Sequence, residues 1–327
     1  MLPWARLNYR LLPRAALDRR TIVVGAVTKR RVEIWVLFVV IVAVVAFGVR
    51  TLFDSSSQSN ANASTSSGFY LAVGGSSSLG FQPTGIPAHN GHRTSTGYAN
   101  DIVTTEATRG TSLVLRQVGC PGETSVSMQF SRDACYKGVG GQMTASLNYL
   151  KTSKSQKGLV TIDLGFNDVR ACLLSDEVNV ACANQGIAAV RKDMPSVISR
   201  LKAAAGPSVR FVGVLYEDPF LADYLVPASG ITQANLTLTV MSELNAALTS
   251  VYRAGGVAMA NVPGAFKTDN SDMVELAKVG KVPQNVALAC TLTWMCTAPP
   301  WGPDDHPNNA GYRVIANAIE GALPMSW

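Results

Sequence analysis

Tyr70-Leu71-Ala72-Val73-Gly74-Gly75-Ser76-Ser77-Ser78-Leu79-Gly80-Phe81 is the stretch that decides how the chain is read. It opens as a short apolar run with the composition of a buried strand. It then breaks into Gly-Gly-Ser. A serine in a glycine-rich turn at the end of a parallel strand is placed like a nucleophile, because glycine lets the backbone bend tightly and lets a substrate approach. Taken alone, the same letters also describe an ordinary flexible loop. The residues on either side have to decide between the two.

Toward the N-terminus, the first fifty residues hold nine Lys and Arg against Asp18 and Glu33, a net of +7. The rest of the chain holds 19 basic and 20 acidic residues, a net of −1, so the overall +6 belongs to the tail. With no basic patch left in the body of the chain, nucleic-acid binding is not expected. Residues 34–49, IWVLFVVIVAVVAFGV, form an unbroken apolar run preceded by Lys29-Arg30-Arg31. With Arg50 snorkelling, Leu52 and Phe53 bring it to a length of about 20 residues, enough to cross a bilayer as a helix. The basic flank puts residues 1–31 in the cytoplasm, makes 32–53 a transmembrane signal-anchor and sends everything after it outside the cell membrane. Secretion after signal-peptide cleavage, near Ala61-Asn62-Ala63, and a buried core helix are the competing readings. Residues 54–68 are polar and Ser/Asn-rich and read as a flexible linker, with the globular domain at 69–327.

Hydrophobic residues make up 47% of the 327-residue chain, enough for a sizeable core. From residue 69 onward, short apolar segments at 70–73, 112–117, 158–164, 209–215 and 256–260 alternate with helical stretches at 141–151, 185–205, 233–254 and 309–323. Such alternation predicts an α/β fold, a parallel sheet covered by helices on both faces. Sites in these sheets form beyond the C-terminal strand ends. Four polar, glycine-bearing segments fall there: the turn with Ser76, then Gly119-Cys120-Pro121-Gly122-Glu123-Thr124, then Gly165-Phe166-Asn167-Asp168, and Trp301-Gly302-Pro303-Asp304-Asp305-His306-Pro307-Asn308 before the last helix.

Ser76, Gly122, Asn167 and His306, in this order and on these elements, resemble the SGNH hydrolases, the GDSL-type lipases and esterases. Asp218-Pro219-Phe220-Leu221 and Ala310-Gly311-Tyr312 also look like secreted bacterial members. The resemblance spans about residues 69–325. It implies a three-layer α/β/α sandwich on a mostly parallel five-stranded sheet, and a Ser-His(-Asp) acyl-enzyme mechanism on carboxylic esters. It makes Ser76 the nucleophile and His306 its base, and it places the oxyanion hole at the backbone N–H groups of Ser76 and Gly122 and the amide of Asn167. No cofactor and no metal are expected. The substrate class is a small-molecule, lipid or glycan ester, and nothing in the sequence reads the oligomeric state.

Two positions depart from the family. Gly75 stands where Gly-Asp-Ser would have Asp, a residue that braces the turn. Pro303 stands three residues before His306, where an Asp orients the base. Asp304 is the favoured replacement, with Asp305 or a backbone carbonyl of residues 301–303 as alternatives. The two departures together leave open a degenerate domain that binds envelope glycan or lipid without turnover, and an O-acyltransferase on the same site. His89 and His92, the other two histidines, read as loop residues. Tyr216, Phe220, Tyr224, Trp294 and Trp301 are expected either to line an acyl or sugar pocket or to pack as ordinary core.

Six cysteines allow fifteen pairings. The close pairs Cys120/Cys135, Cys172/Cys182 and Cys290/Cys296, supported by the resemblance to secreted members, are the expected disulfides. The absence of CxxC and the few histidines argue against metal binding. An even, loop-clustered set fits an oxidising compartment.

Overall fold

Alternate residues of the first strand face two different cores. Phe69, Leu71 and Val73 point to one side, against Met143, Leu150, Val190 and Leu244. Tyr70 and Ala72 point to the other, against Tyr98, Ile102, Tyr312 and Ile315. A strand covered on both faces reads as a continuous apolar run, because neither set of alternate side chains meets water.

The structure, a computed structural model, describes residues 66–324 apart from 87–90, 131, 133–134, 137–139 and 175–176. Strands β1 (Ser66–Gly74), β2 (Thr111–Gln117), β3 (Lys157–Asp163), β4 (Val209–Val214) and β5 (Ala258–Ala260) form one parallel sheet in the order β2-β1-β3-β4-β5. Helices α1 (Tyr98–Thr108) and α2 (Ser125–Phe130) flank β2 in the chain, and α3 (Gly141–Thr152) precedes β3. Helices α4 (Phe166–Leu173) and α5 (Val180–Ala204) lead to β4, and α6 (Gly230–Ala254) leads to β5. After α7 (Val262–Ala265) comes a small antiparallel hairpin, β6 (Met273–Leu276) with β7 (Gly280–Pro283). Helices α8 (Gln284–Leu292) and α9 (Asn309–Gly321) close the chain. Residues from α3, α5 and α6 fill one core, and residues from α1 and α9 fill the other, which gives three layers.

Strand β1 starts at Ser66, three residues into the stretch read as linker, because Ser66 pairs with Thr111 and Gly68 with Lys157 on its two sides. The expected transmembrane segment, the basic tail and His89 lie outside the described residues. Among the described residues, no helix is long and apolar enough to cross a membrane. The expected disulfides are all present: Cys120–Cys135, Cys172–Cys182 and Cys290–Cys296.

The strand order has one consequence for function. The chain leaves β1 toward β2 on one side and returns to β3 on the other, so the loops after β1 and β3 part in opposite directions. A crevice opens between them at the C-terminal strand ends. Ser76 follows β1 and Asn167 follows β3.

Candidate active site

The turn that carries Ser76 is held by its backbone. Gly74 ends β1 at φ +151, and a Cβ there would lie 2.2 Å from the carbonyl oxygen of Asp163, so no other residue fits. The Gly75 N–H donates to that same carbonyl at 3.0 Å. The Ser78 hydroxyl donates to the carbonyl of Gly75 at 2.7 Å. From α3, the buried side chain of Gln142 grips both sides of Gly74. Its Oε1 accepts from the Gly74 N–H at 2.7 Å, and its Nε2 donates to the Gly74 carbonyl at 3.0 Å. Ser76 then enters a single 3-10 turn, Ser77–Leu79, half-exposed and with helical dihedrals.

His306 is brought to the serine by the loop between α8 and α9. The Trp294 N–H donates to the carbonyl of His306 at 3.1 Å, and Asn308 caps α9 by accepting from the N–H groups of Ala310 and Gly311. The Cys290–Cys296 bridge ties the start of this loop to α8. Nε2 of His306 lies 2.8 Å from Oγ of Ser76. Nδ1 lies 2.7 Å from Oδ1 of Asp304, which also accepts from the His306 backbone N–H at 3.0 Å. Burial pushes the Asp304 carboxyl up, but the hydrogen bonds and charge of His306 outweigh it and hold the group below the usual carboxylate range. The neighbouring Asp305 turns away. It forms a two-pronged pair with Arg170 of α4, at 2.5 and 2.8 Å, and stays 3.8 Å from Nδ1. Of the three acceptors considered for His306, Asp304 is the one in contact.

The second and third motifs meet beside the turn. Gly122 has φ +78, and a Cβ there would touch nothing within 4 Å, so the backbone conformation rather than crowding asks for glycine. One N–H of the Asn167 amide donates to the carbonyl of Glu123 at 3.1 Å; the amide has a second hydrogen to offer. Asp168 accepts from the N–H and the hydroxyl of Ser125, at 2.9 and 2.6 Å, which joins the start of α4 to the start of α2. Burial, opposed by those Ser125 bonds, lifts its carboxyl to about 6. At Gly75 a Cβ would lie 2.7 Å from Nδ2 of Asn167. The side-chain volume that the family gives to Asp begins here in the space of the Asn167 amide.

Several groups in this site carry no sequence signal. Gln142 reads as one polar residue in a helix, yet its Nε2 also donates to the Glu123 carboxyl at 2.8 Å, linking the serine turn to the Gly122 loop. Asp163 ends β3 behind the turn and accepts from the hydroxyls of Tyr216 and Tyr98 at 2.7 and 3.2 Å. Burial lifts its carboxyl to about 6 against those hydrogen bonds and the charge of His306. A small cavity opens at Ser76 and His306, bounded also by Phe166, Arg170 and Tyr216. Of the aromatic residues noted in the sequence, Tyr216 faces this cavity, Phe220 is buried and Trp301 is exposed, stacked on Trp294 at 5.9 Å. His92 is exposed and pairs through its backbone with Gln82. Asp304, Asp305 and His306 each offer one ligand atom within 4.8 Å of the others, but all three are committed, to one another or to Arg170.

A hydroxyl against an imidazole, with a carboxylate on the far nitrogen and polar N–H groups close by, is an arrangement able to carry out acyl transfer. The model of the GDSL-like Lipase/Acylhydrolase family matches residues 72–314, and the chain belongs to this family of carboxylic ester hydrolases. Among solved structures it is similar to phospholipase A1 from Streptomyces albidoflavus, at 20% identity and a TM-score of 0.50, covering 77% of this chain and 99% of that one. It is also similar to an acetylxylan esterase from Geobacillus stearothermophilus, at 12% identity and a TM-score of 0.45, covering 79% and 95%. At 20% identity the likeness to the phospholipase is one of fold. No curated protein matches the chain.

Proposed function

We propose that the chain is a membrane-anchored serine esterase whose catalytic domain works outside the cytoplasm. The observation that carries this reading is the line from Asp304 through His306 to Ser76, with contacts of 2.7 and 2.8 Å. Serine is a weak nucleophile at its own pKa and needs a base within hydrogen-bond reach. In the proposed mechanism His306 Nε2 takes the Ser76 proton as Oγ attacks the ester carbonyl. Asp304, held ionised, fixes the Nδ1–H tautomer and stabilises the imidazolium. The negative charge on the carbonyl oxygen falls to the N–H groups of Ser76 and Gly122 and the second Asn167 N–H. Each such donor contributes about 3 kcal/mol in comparable sites. His306 then returns the proton to the leaving alcohol, and water, activated by the same nitrogen, releases the acid from Ser76.

Support for turnover, rather than binding alone, comes from the two departures from the family. Asp304 occupies the place expected of the missing Asp at position 303. The turn at Gly75 is braced by Asp163, Ser78 and Gln142 in place of its own side chain. Support for an extracytoplasmic location comes from the three disulfides, which persist in oxidising compartments. The anchor rests on the apolar run at 34–49 and its basic flank. The test is hydrolysis of 4-nitrophenyl acetate by the purified chain beside Ser76→Ala. The reading expects turnover that the substitution abolishes; equal rates for the two proteins contradict it.

A further inference from the structure

Glu217 brings to the cavity a carboxyl that the mechanism above leaves without a task. It follows Tyr216 in the segment leaving β4, at the C-terminal edge of the sheet, and lines the same cavity as Ser76 and His306. It is 8% exposed. Its neighbours are accounted for: Arg170 holds Asp305, and Tyr216 holds Asp163. The hydrogen bond that acts on the Glu217 carboxyl comes from its own backbone N–H. Among the described residues it forms no ion pair. A carboxyl largely taken out of water with no cation beside it is costly to ionise, and a fold that keeps one in its cavity asks for an explanation.

The side of the serine on which this carboxyl lies suggests its task. His306 must hand a proton to the departing alcohol, so the alcohol sits against His306. The cavity is walled by Asp305, His306 and Pro307, and neither Gly122 nor Asn167 lines it. It therefore lies on the His306 side of Ser76, where the leaving group departs, and away from the Gly122 and Asn167 donors.

We propose that Glu217 is a specificity-determining residue that selects esters of polyhydroxylated alcohols, by hydrogen-bonding a free hydroxyl of the alcohol next to the ester oxygen. This inference rests on the reading of Ser76 as nucleophile. Burial, opposed by the bond from its own N–H and reinforced by Asp163, Asp218 and Asp305, raises the Glu217 carboxyl to about 8. Near neutral pH it carries its proton and can both donate to and accept from a hydroxyl. The ionisable groups that act on it or share its cavity are Asp163 on β3, Tyr216 and Asp218 on either side of it, Asp305 and His306 on the loop before α9, Arg170 on α4 and Tyr312 on α9.

The experiment compares glycerol monoacetate with 4-nitrophenyl acetate, whose alcohol has no second hydroxyl. Three proteins are assayed on both: wild type, Glu217→Leu and Glu217→Gln. A site built to pair a hydroxyl loses about 10- to 100-fold when its partner group is removed. Glu217→Leu is expected to lose at least about tenfold more kcat/KM on the polyol ester than on the aryl ester, mainly through KM. In the wild type the ratio of the two kcat/KM values should fall as pH rises from 7 to 9.5, as the carboxyl ionises and can no longer donate. In Glu217→Gln, which donates at every pH, the ratio should stay level. Equal losses on the two esters in Glu217→Leu, or a ratio that falls with pH in Glu217→Gln as in wild type, overturn the proposal. If Glu217→Leu does not fold, the pH comparison with Glu217→Gln decides alone. A wild type inactive on both esters overturns the esterase reading and this one with it, whereas activity on both without a Glu217-dependent ratio overturns this one only.

Discussion

Gln142 lies on the far side of the serine turn from the reacting atoms, yet its replacement is expected to lower kcat. Its amide makes three buried hydrogen bonds, two with Gly74 and one with the Glu123 carboxyl. In Gln142→Met the volume is kept and all three are lost. The Gly74 N–H then faces an apolar group, at a cost of about 1–3 kcal/mol for a buried donor left unpaired. The Gly74 carbonyl loses less, because it still accepts from the Cys120 N–H at 3.0 Å. With the Glu123 bond added, the whole change comes to about 2–4 kcal/mol, a drop of about 5–15 °C in melting temperature for a domain of this size. The same bonds hold Ser76 in register with the Gly122 loop. A displacement of an ångström at a reacting atom costs about 10²-fold in rate. The assay is steady-state ester hydrolysis with thermal melts on the same samples. Gln142→Met should lower kcat about 10- to 100-fold with KM little changed. Gln142→Glu keeps the acceptor for Gly74 but sets a carboxylate against Glu123. Its activity relative to wild type should rise as pH falls and one proton is shared between the two carboxyls. A Gln142→Met protein with unchanged kcat would refute the positioning argument, whatever its melting temperature.

Other outcomes follow from the same geometry. Asp304→Ala should cut kcat by about 10²- to 10⁴-fold, as loss of the orienting carboxylate does in serine triads, while Asp305→Asn, which weakens the Arg170 pair, should cost far less; steady-state kinetics on both variants checks the assignment. The raised carboxyls of Asp163 and Asp168 (about 6), Asp218 (about 7) and Glu217 (about 8) bind protons in the folded state that the unfolded chain releases near pH 4. Their effect is that stability falls as pH rises from about 4 to 8. Asp304 works the other way only below its ordinary range, so melting temperatures should be highest near pH 4 and lower at pH 8; a curve that rises to pH 8 contradicts this. The Cys120–Cys135 bridge closes a span of 15 residues that carries Gly122. Its removal by Cys120→Ser with Cys135→Ser should cost about 3 kcal/mol, measured by denaturant titration.

What was legible in the sequence was what local pattern encodes. The apolar run of β1, the sheet-and-helix alternation and the four polar loops each have a short-range signal, and their order carries the family. Asp304 could be favoured over Asp305 because a carboxylate adjacent to the histidine cannot easily fold back, and Asp305 indeed turns to Arg170 instead. Helix α1 carried little signal, because Ile102, Val103, Thr104 and Thr105 give it a β-like composition and only tertiary packing of Tyr98 and Ile102 decides it. The β6–β7 hairpin has only four residues in each strand, too few for alternation to stand out in the sequence. Gln142, Glu123 and Asp163 were silent for a different reason. Each acts through a partner distant in sequence, 68 residues between Gln142 and Gly74, and no spacing rule reaches that far.

The central claim, that Ser76 is the nucleophile activated by His306, is tested most directly by covalent capture. The purified chain is treated with a fluorophosphonate, which phosphonylates an activated serine, and its intact mass and peptides are then measured. The account predicts a single adduct, on the peptide containing Ser76, absent from Ser76→Ala and strongly slowed in His306→Ala. An unmodified wild-type protein, or an adduct on another serine that persists in Ser76→Ala, would contradict it.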